Sequence, residues 1–339
     1  MKKIIFLIAL MSMLCNTAFV LPQPIYVIVC PEYFLPDIGP LIMLKEMQNF
    51  SVEVVSITTE TAENIRENIL NISPNYVLLI GDIDDVPTFY GIEDQPTDFY
   101  YVVRDNETIP FAYIGRLPAS THEDLTIMVN ALLNYEYNYD SISLLLGSNA
   151  PVSTVNLNIY IRNDLANDNG LILYGDWPHE VILDAFNAGQ AIMSYTGHGS
   201  ITGWQGFSIL SLPDLTTHNN IAFTYACRTA NFGEDDSFGE RFLMSGKAVV
   251  YIGSTYSTYW DEDDLLQQGM MESYYLNGNT IVGQILFDGL TYYSENYSGD
   301  TTLYWESMEI LGDPSLNIQV NNVNLVIMNY IPLIAKELK

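Results

Sequence analysis

Cysteine is scarce in this chain, with only Cys15, Cys30 and Cys227 among 339 residues. That excludes a disulfide framework as the source of stability. Basic side chains are scarce too: 12 Lys and Arg face 41 Asp and Glu, a net charge of −29. A surface of that sign repels phosphate backbones and anionic lipid, which excludes nucleic acid as a partner. The apolar stretch at residues 4–14 is too short to cross a bilayer, so no membrane span is expected in the mature chain. No internal repeat is visible, which excludes a solenoid. What is present is core material: 48% hydrophobic and 12% aromatic residues, enough for one large or two modest cores.

Residues 1–18 read as a secretory signal peptide, with Lys2 and Lys3, the apolar stretch, then Asn16-Thr-Ala18 as a small-residue cleavage site. Localisation is therefore expected to be secreted, cell-surface or periplasmic. Cys15 offers a lipoprotein alternative, but the preceding Leu14 is large for that processing. Removing the leader takes two lysines and no acid, deepening the charge from −29 to −31. An acidic exported chain suits structural Ca2+, which takes carboxylate and carbonyl oxygens, although most of these acids read as a solvated surface.

Residues 19–139 alternate strand and helix patterns: strands at 25–30, 52–57 and 76–80, helices at 38–50 and 61–70. This βαβαβ rhythm predicts a parallel sheet flanked by helices. A hairpin over 99–104 and 109–114 and a helix over 123–137 close the block. Asp82, Asp84 and Asp85 follow the third strand, with Asp98 near in sequence. They are candidate calcium ligands, or else turn carboxylates capping backbone donors; the spacing is not that of an EF-hand. Residues 140–320 repeat the rhythm, with strands near 142–146, 191–196, 221–227 and 248–253, helices near 157–166, 238–244, 265–275 and 281–293, and the segments 172–174 and 180–186 leading into the strand at 191–196. The expected fold class is α/β, with two adjacent subdomains each carrying a mostly parallel sheet, the second holding the active site. Residues 321–339 form an apolar tail of unassigned role.

Two strand patterns end on chemistry. Ala191-Ile-Met-Ser-Tyr-Thr-Gly-His-Gly-Ser200 is an apolar run stopped by a Gly-His-Gly turn, and Ile221-Ala-Phe-Thr-Tyr-Ala-Cys227 is a buried-strand pattern stopped by a thiol. A lone cysteine in an apolar run is usually inert core, and a lone histidine after a strand is usually a loop residue. Together they differ, because both sit where a strand ends and the chain turns, at the sheet edge where open α/β folds hold their chemistry. An imidazole beside a thiol favours the thiolate and can protonate a leaving amine. Cys227 is therefore the candidate nucleophile and His198 the candidate acid and base. The backbone N–H groups of Gly199 and Cys227 are the candidate oxyanion donors.

Tyr195-Thr-Gly-His-Gly-Ser200 with Trp204, the Ala226-Cys227 strand end, Ile80-Gly-Asp-Ile-Asp-Asp-Val-Pro87, Tyr113-Ile-Gly-Arg-Leu117 and Leu311-Gly-Asp-Pro-Ser-Leu316 resemble, in order and spacing, the gingipain family of cysteine peptidases. The resemblance runs from about residue 24 to about residue 320. It implies a caspase-like α/β fold, a Cys227–His198 dyad, a thioester acyl-enzyme, polypeptide substrates and no cofactor needed for chemistry. It also implies pocket walls at Thr196, Tyr225 and Trp260, so an apolar or small polar substrate side chain is the expected preference, Trp260 being equally readable as core. The chain departs from the family in two places. Leu146-Gly-Ser-Asn-Ala-Pro151 lacks the acid expected to orient the histidine, and Val155-Asn-Leu-Asn158 lacks the acid expected in a pocket for basic side chains. The run Asp261-Glu-Asp-Asp264 could restore a preference for basic substrates. No propeptide is evident, so control by calcium or a protein inhibitor is the expectation. The competing classes are a non-peptide acyl hydrolase or transferase using Cys227, and an inactive, calcium-binding or adhesive relative.

Overall fold

The segment Ile25-Tyr-Val-Ile-Val-Cys-Pro31 has no polar face, so a strand built from it must be covered on both sides. The computed structural model describes residues 22–136, 142–148, 151–165, 171–174, 179–188, 190–218, 220–234 and 236–319, and it covers that strand on both sides. The expected leader, the expected boundary at 139/140 and the expected tail lie outside the described residues. Strand β1 (Ile25–Pro31) pairs in parallel with β2 (Ser51–Ile57) on one side and β3 (Tyr76–Ile80) on the other. Its alternate residues serve two cores. Tyr26, Ile28 and Cys30 join the main core with Leu41 of α1 (Gly39–Met47). Val27 and Val29 join a second core with Ile65 and Ile69 of α2 (Ala62–Ile72), a helix capped by the Thr61 hydroxyl.

The hairpin expected over 99–114 does not form. A two-residue antiparallel pair, β4 (Phe89–Tyr90) and β5 (Pro96–Thr97), comes first, and Phe99–Val102 coils into a 3-10 turn. That turn buries Tyr101 and Val102 in the second core, so the aromatic run that reads as strand is consumed by packing against α2. The chain then returns as β6 (Tyr113–Leu117), parallel to β3, and α3 (His122–Leu133) follows.

The second half runs β7 (Ile142–Gly147), α4 (Val152–Tyr160), a π-turn over Ile161–Leu165, β8 (Leu171–Tyr174), α5 (His179–Asn187) and β9 (Gln190–Thr196). A small antiparallel sheet, β10 (Gly199–Ser200), β11 (Gly203–Trp204) and β12 (Phe207–Ser208), precedes β13 (Asn220–Tyr225). Helix α6 (Phe238–Met244) opens on a capping box in which Ser237 and Glu240 bond each other's backbone, and it leads to β14 (Ala248–Ser254). Helices α7 (Trp260–Tyr275), α8 (Val282–Asn296) and α9 (Thr302–Ser307) then precede β15 (Met308–Gly312).

The two α/β halves stand side by side and their strands form one ten-stranded sheet, in the order β2-β1-β3-β6-β15-β14-β13-β9-β7-β8. All its pairings are parallel except β14 with β15. The halves meet where β6 touches β15, at the single pair Leu311↔Arg116. Gly115 permits this approach, since a Cβ there would lie 2.3 Å from the Gly312 carbonyl oxygen. Arg116, fully buried, donates to both Asp98 oxygens at 2.8 and 2.7 Å and to the carbonyls of Gly81 and Val86. Glu309 of β15 completes the cluster by accepting the Asp98 N–H at 2.9 Å. A buried ion pair, Lys45 with Asp313, ties α1 to the turn after β15.

Candidate active site

Strands β9 and β13 are parallel neighbours, and their last pair is Tyr225↔Thr196. His198 lies two residues beyond Thr196 and Cys227 two residues beyond Tyr225, so both leave the carboxyl edge at the same level. The loop carrying His198 presses directly onto the Cys227 backbone. A Cβ at Gly199 would come 2.6 Å from the Cys227 carbonyl oxygen and 2.9 Å from Ala226 Cβ, so glycine is required there by close approach.

The histidine turn is fixed from below. Tyr195 donates its hydroxyl to the His198 carbonyl at 2.7 Å and stacks on Trp204, ring centroids 4.6 Å apart and 10° from parallel. Trp204 in turn donates its indole N–H to Tyr251 Oη at 3.1 Å. The Gln205 N–H also bonds the His198 carbonyl, at 3.3 Å. Because bonded and non-bonded pairs alternate in an antiparallel ladder, the next pair, Gly199↔Trp204, is non-bonded, and the Gly199 N–H points away from its hairpin partner. The exposed His198 ring meets Trp260 edge-on at 5.3 Å. Among the described residues its imidazole makes no hydrogen bond to a carboxylate; Asn149 and Ala150, in the segment expected to carry such a group, lie outside them.

Cys227 is half-buried and unpaired. Its Sγ accepts the Thr258 N–H at 3.3 Å and lies 3.7 Å from the Thr258 carbonyl oxygen. Cys30 offers a contrast. It is fully buried, its thiol bonds the Pro31 carbonyl, and burial pushes it up to about 12. His198 and Cys227 line one groove of about 540 Å³, together with Trp260, Asp261, Glu262 and Asp263 at the start of α7. Acids in a first helical turn are favoured by the backbone dipole. Asp263 is nevertheless 3% exposed, and that burial pushes its carboxyl up to about 8.

Of the three expected pocket residues, only Trp260 lines the groove. Thr196 and Tyr225 are fully buried beneath it: the Thr196 hydroxyl donates to Gln267 Oε1 at 3.0 Å, and Tyr225 Oη lies 3.4 Å from Met270 Sδ. Both strands turn these side chains into the interface with α7, which corrects the expectation that they form pocket walls. The acid-free stretch of α4 faces the same interface, where Asn158 Oδ1 accepts from Gln267.

Asp82, Asp84, Asp85 and Asp98 do not come together as a cluster of three or more metal-binding side chains. Asp98 is held bidentately by Arg116 and Asp82 accepts from the Ile83 N–H at 2.7 Å and from Ser120, as a turn carboxylate does. Among the described residues no three metal-binding side chains converge. The parts missed from sequence are Thr258, with no motif around it, and Asp263, whose acidic run was visible but whose burial was not.

The model of peptidase family C25 matches residues 20–319. Gingipain R2 of Porphyromonas gingivalis is 25% identical over 276 residues, 72% of this chain and 38% of that protein. Lys-gingipain W83 of the same organism is 27% identical over 299 residues, 72% of this chain and 17% of its own length. The chain thus spans well under half the length of these curated relatives. The crystal structure of the Arg specific cysteine proteinase gingipain R superposes with a TM-score of 0.79 at 22% identity, over 87% of this chain and 78% of that one. The mature domain's complex with its pro-domain, from P. gingivalis, gives 0.76 at 23% identity, covering 86% and 79%. No described helix is long and apolar enough to cross a membrane. With the family model spanning almost all of the described residues and the fold shared with gingipain R, this chain belongs to peptidase family C25.

Proposed function

We propose that the chain is an exported cysteine endopeptidase in which Cys227 is the nucleophile and His198 the acid and base. The observation that carries it is the level placement of both residues beyond the Tyr225↔Thr196 pair, at the wall of one open groove. The Cys227 thiolate attacks the scissile carbonyl carbon, and the oxyanion is met by the N–H groups of Gly199 and Cys227. The C–N bond breaks as His198 gives its proton to the leaving amine. His198 then takes a proton from water, whose oxygen attacks the thioester, and the C–S bond breaks to restore the thiolate.

Substrates with a basic side chain suit this groove. Asp261 and Glu262 line it, and an ammonium or guanidinium group would pair with them. The names of the relatives, an Arg specific proteinase and Lys-gingipains, agree with this preference. A fluorogenic peptide library tests both statements. Hydrolysis should follow basic residues and vanish in Cys227→Ala, and Asp261→Asn should raise KM for basic substrates about tenfold with kcat little changed. No cleavage of any library peptide by a chain whose Cys227 alkylates readily would remove the peptidase assignment and favour non-peptide acyl chemistry.

A further inference from the structure

Resting on the peptidase assignment above, we propose that Asp263 is a positioning residue for the nucleophile, acting on Cys227 through Thr258. The strap between β14 and α7 crosses over the sulfur, and its backbone groups are tied at each step. The Thr255 N–H bonds Ser307 O at 2.9 Å, Tyr256 O accepts the Arg228 N–H at 2.9 Å, and the Tyr259 N–H bonds Tyr304 Oη at 3.0 Å. Within it the Thr258 N–H points at Cys227 Sγ, and the Thr258 hydroxyl donates to Asp263 Oδ2 at 2.8 Å. The other carboxyl oxygen lies 3.0 Å from Tyr304 Oη, which itself donates to the Tyr259 carbonyl at 3.2 Å. One buried carboxyl group therefore fixes the side chain whose backbone N–H touches the sulfur. An N–H donated to sulfur favours the thiolate, so a loosened strap leaves a less reactive sulfur.

The groups around Asp263 make its charge matter. Tyr304 faces it from α9, Tyr225 from β13, Glu262 and Asp264 from its own helix, and Cys227 and His198 share the groove wall with it. Apart from His198, every one of these is acidic or neutral, and burial keeps the Asp263 proton on until about 8. A carboxyl that is neutral at pH 7 holds Thr258 without setting a second negative charge beside the thiolate.

The test reads the thiol directly, by the pH dependence of Cys227 alkylation with iodoacetamide in the folded chain, followed by mass spectrometry. Thr258→Val and Asp263→Ala should each slow alkylation at pH 7 about fivefold and move its inflection to higher pH. The double variant should be no slower than the slower single one, because the two residues act in series. Thr258→Ser and Asp263→Asn, which keep the hydroxyl and the acceptor oxygen, should stay within about twofold of the unmodified chain. Alkylation of Asp263→Ala at the unmodified rate, or slowing that multiplies in the double variant, would overturn the proposal. Should Asp263→Ala not fold, the Thr258 pair decides: slow valine with restored serine supports it, and two unmodified rates refute it. Alkylation needs no peptide substrate, so a chain that cleaves no peptide still reports on Asp263. Conversely, normal alkylation of Asp263→Ala beside intact cleavage would sink this proposal alone.

Discussion

A sulfur nucleophile must be reachable as well as ionisable, and the two described thiols stand in different surroundings. Burial holds Cys30 protonated, whereas Cys227 stands half-open under a backbone N–H. Iodoacetamide at pH 7 should therefore label Cys227 and spare Cys30 in the native chain, and His198→Ala should slow that labelling about tenfold. Peptide mapping separates the two sites. Arg116 makes a second prediction: Arg116→Met strands the Asp98 carboxylate in the core and should cost roughly 3–5 kcal/mol in urea unfolding. Cys227 and His198 were legible as candidates, and as neighbours at one sheet edge, because each interrupts an apolar run at a turn. The role of Asp98 was not, since its partner Arg116 lies 18 residues away and only the fold closes that gap.

At the scale of elements, the small sheet from β10 to β12 does the positioning. It anchors the His198 turn to Tyr195 and Trp204 while its first residue presses on the Cys227 carbonyl. Gly199→Ala forces that contact apart, so kcat/KM should fall about tenfold or more while the melting temperature changes by only about a few degrees. Steady-state kinetics beside a thermal melt checks the split. The long parallel strands were readable from their apolar runs, and β3 appears over the expected residues 76–80. The short elements were not. Two-residue strands carry no period, and β15, with Glu309 at its second position, lacks a continuous apolar run. Phe99-Tyr-Tyr-Val102 has strand composition and still coils, because packing against α2 outweighs propensity.

For the whole molecule, charge and burial act in the same direction. The net charge of −29 repels itself at neutral pH, and inside the fold Asp263 and Glu240 are each pushed up to about 8 by burial. Between their ordinary values near 4 and about 8 the native state keeps protons that the unfolded chain has lost, so stability falls as pH climbs through that window. The contribution is complete below it and gone above about 8. Melting temperature should thus rise when pH is lowered from 8 to about 5.5, and added salt at pH 7.5 should raise it too. Calorimetry across both series would refute this if stability peaked above pH 8. The strand that joins the two halves of the sheet, β15, is also the last of the described strands in sequence. On the growing chain Cys227 and His198 are therefore made before the strand that bridges β6 and β14, and Tyr304 follows them both. Assembly of the groove around those two side chains is thus a late event in synthesis.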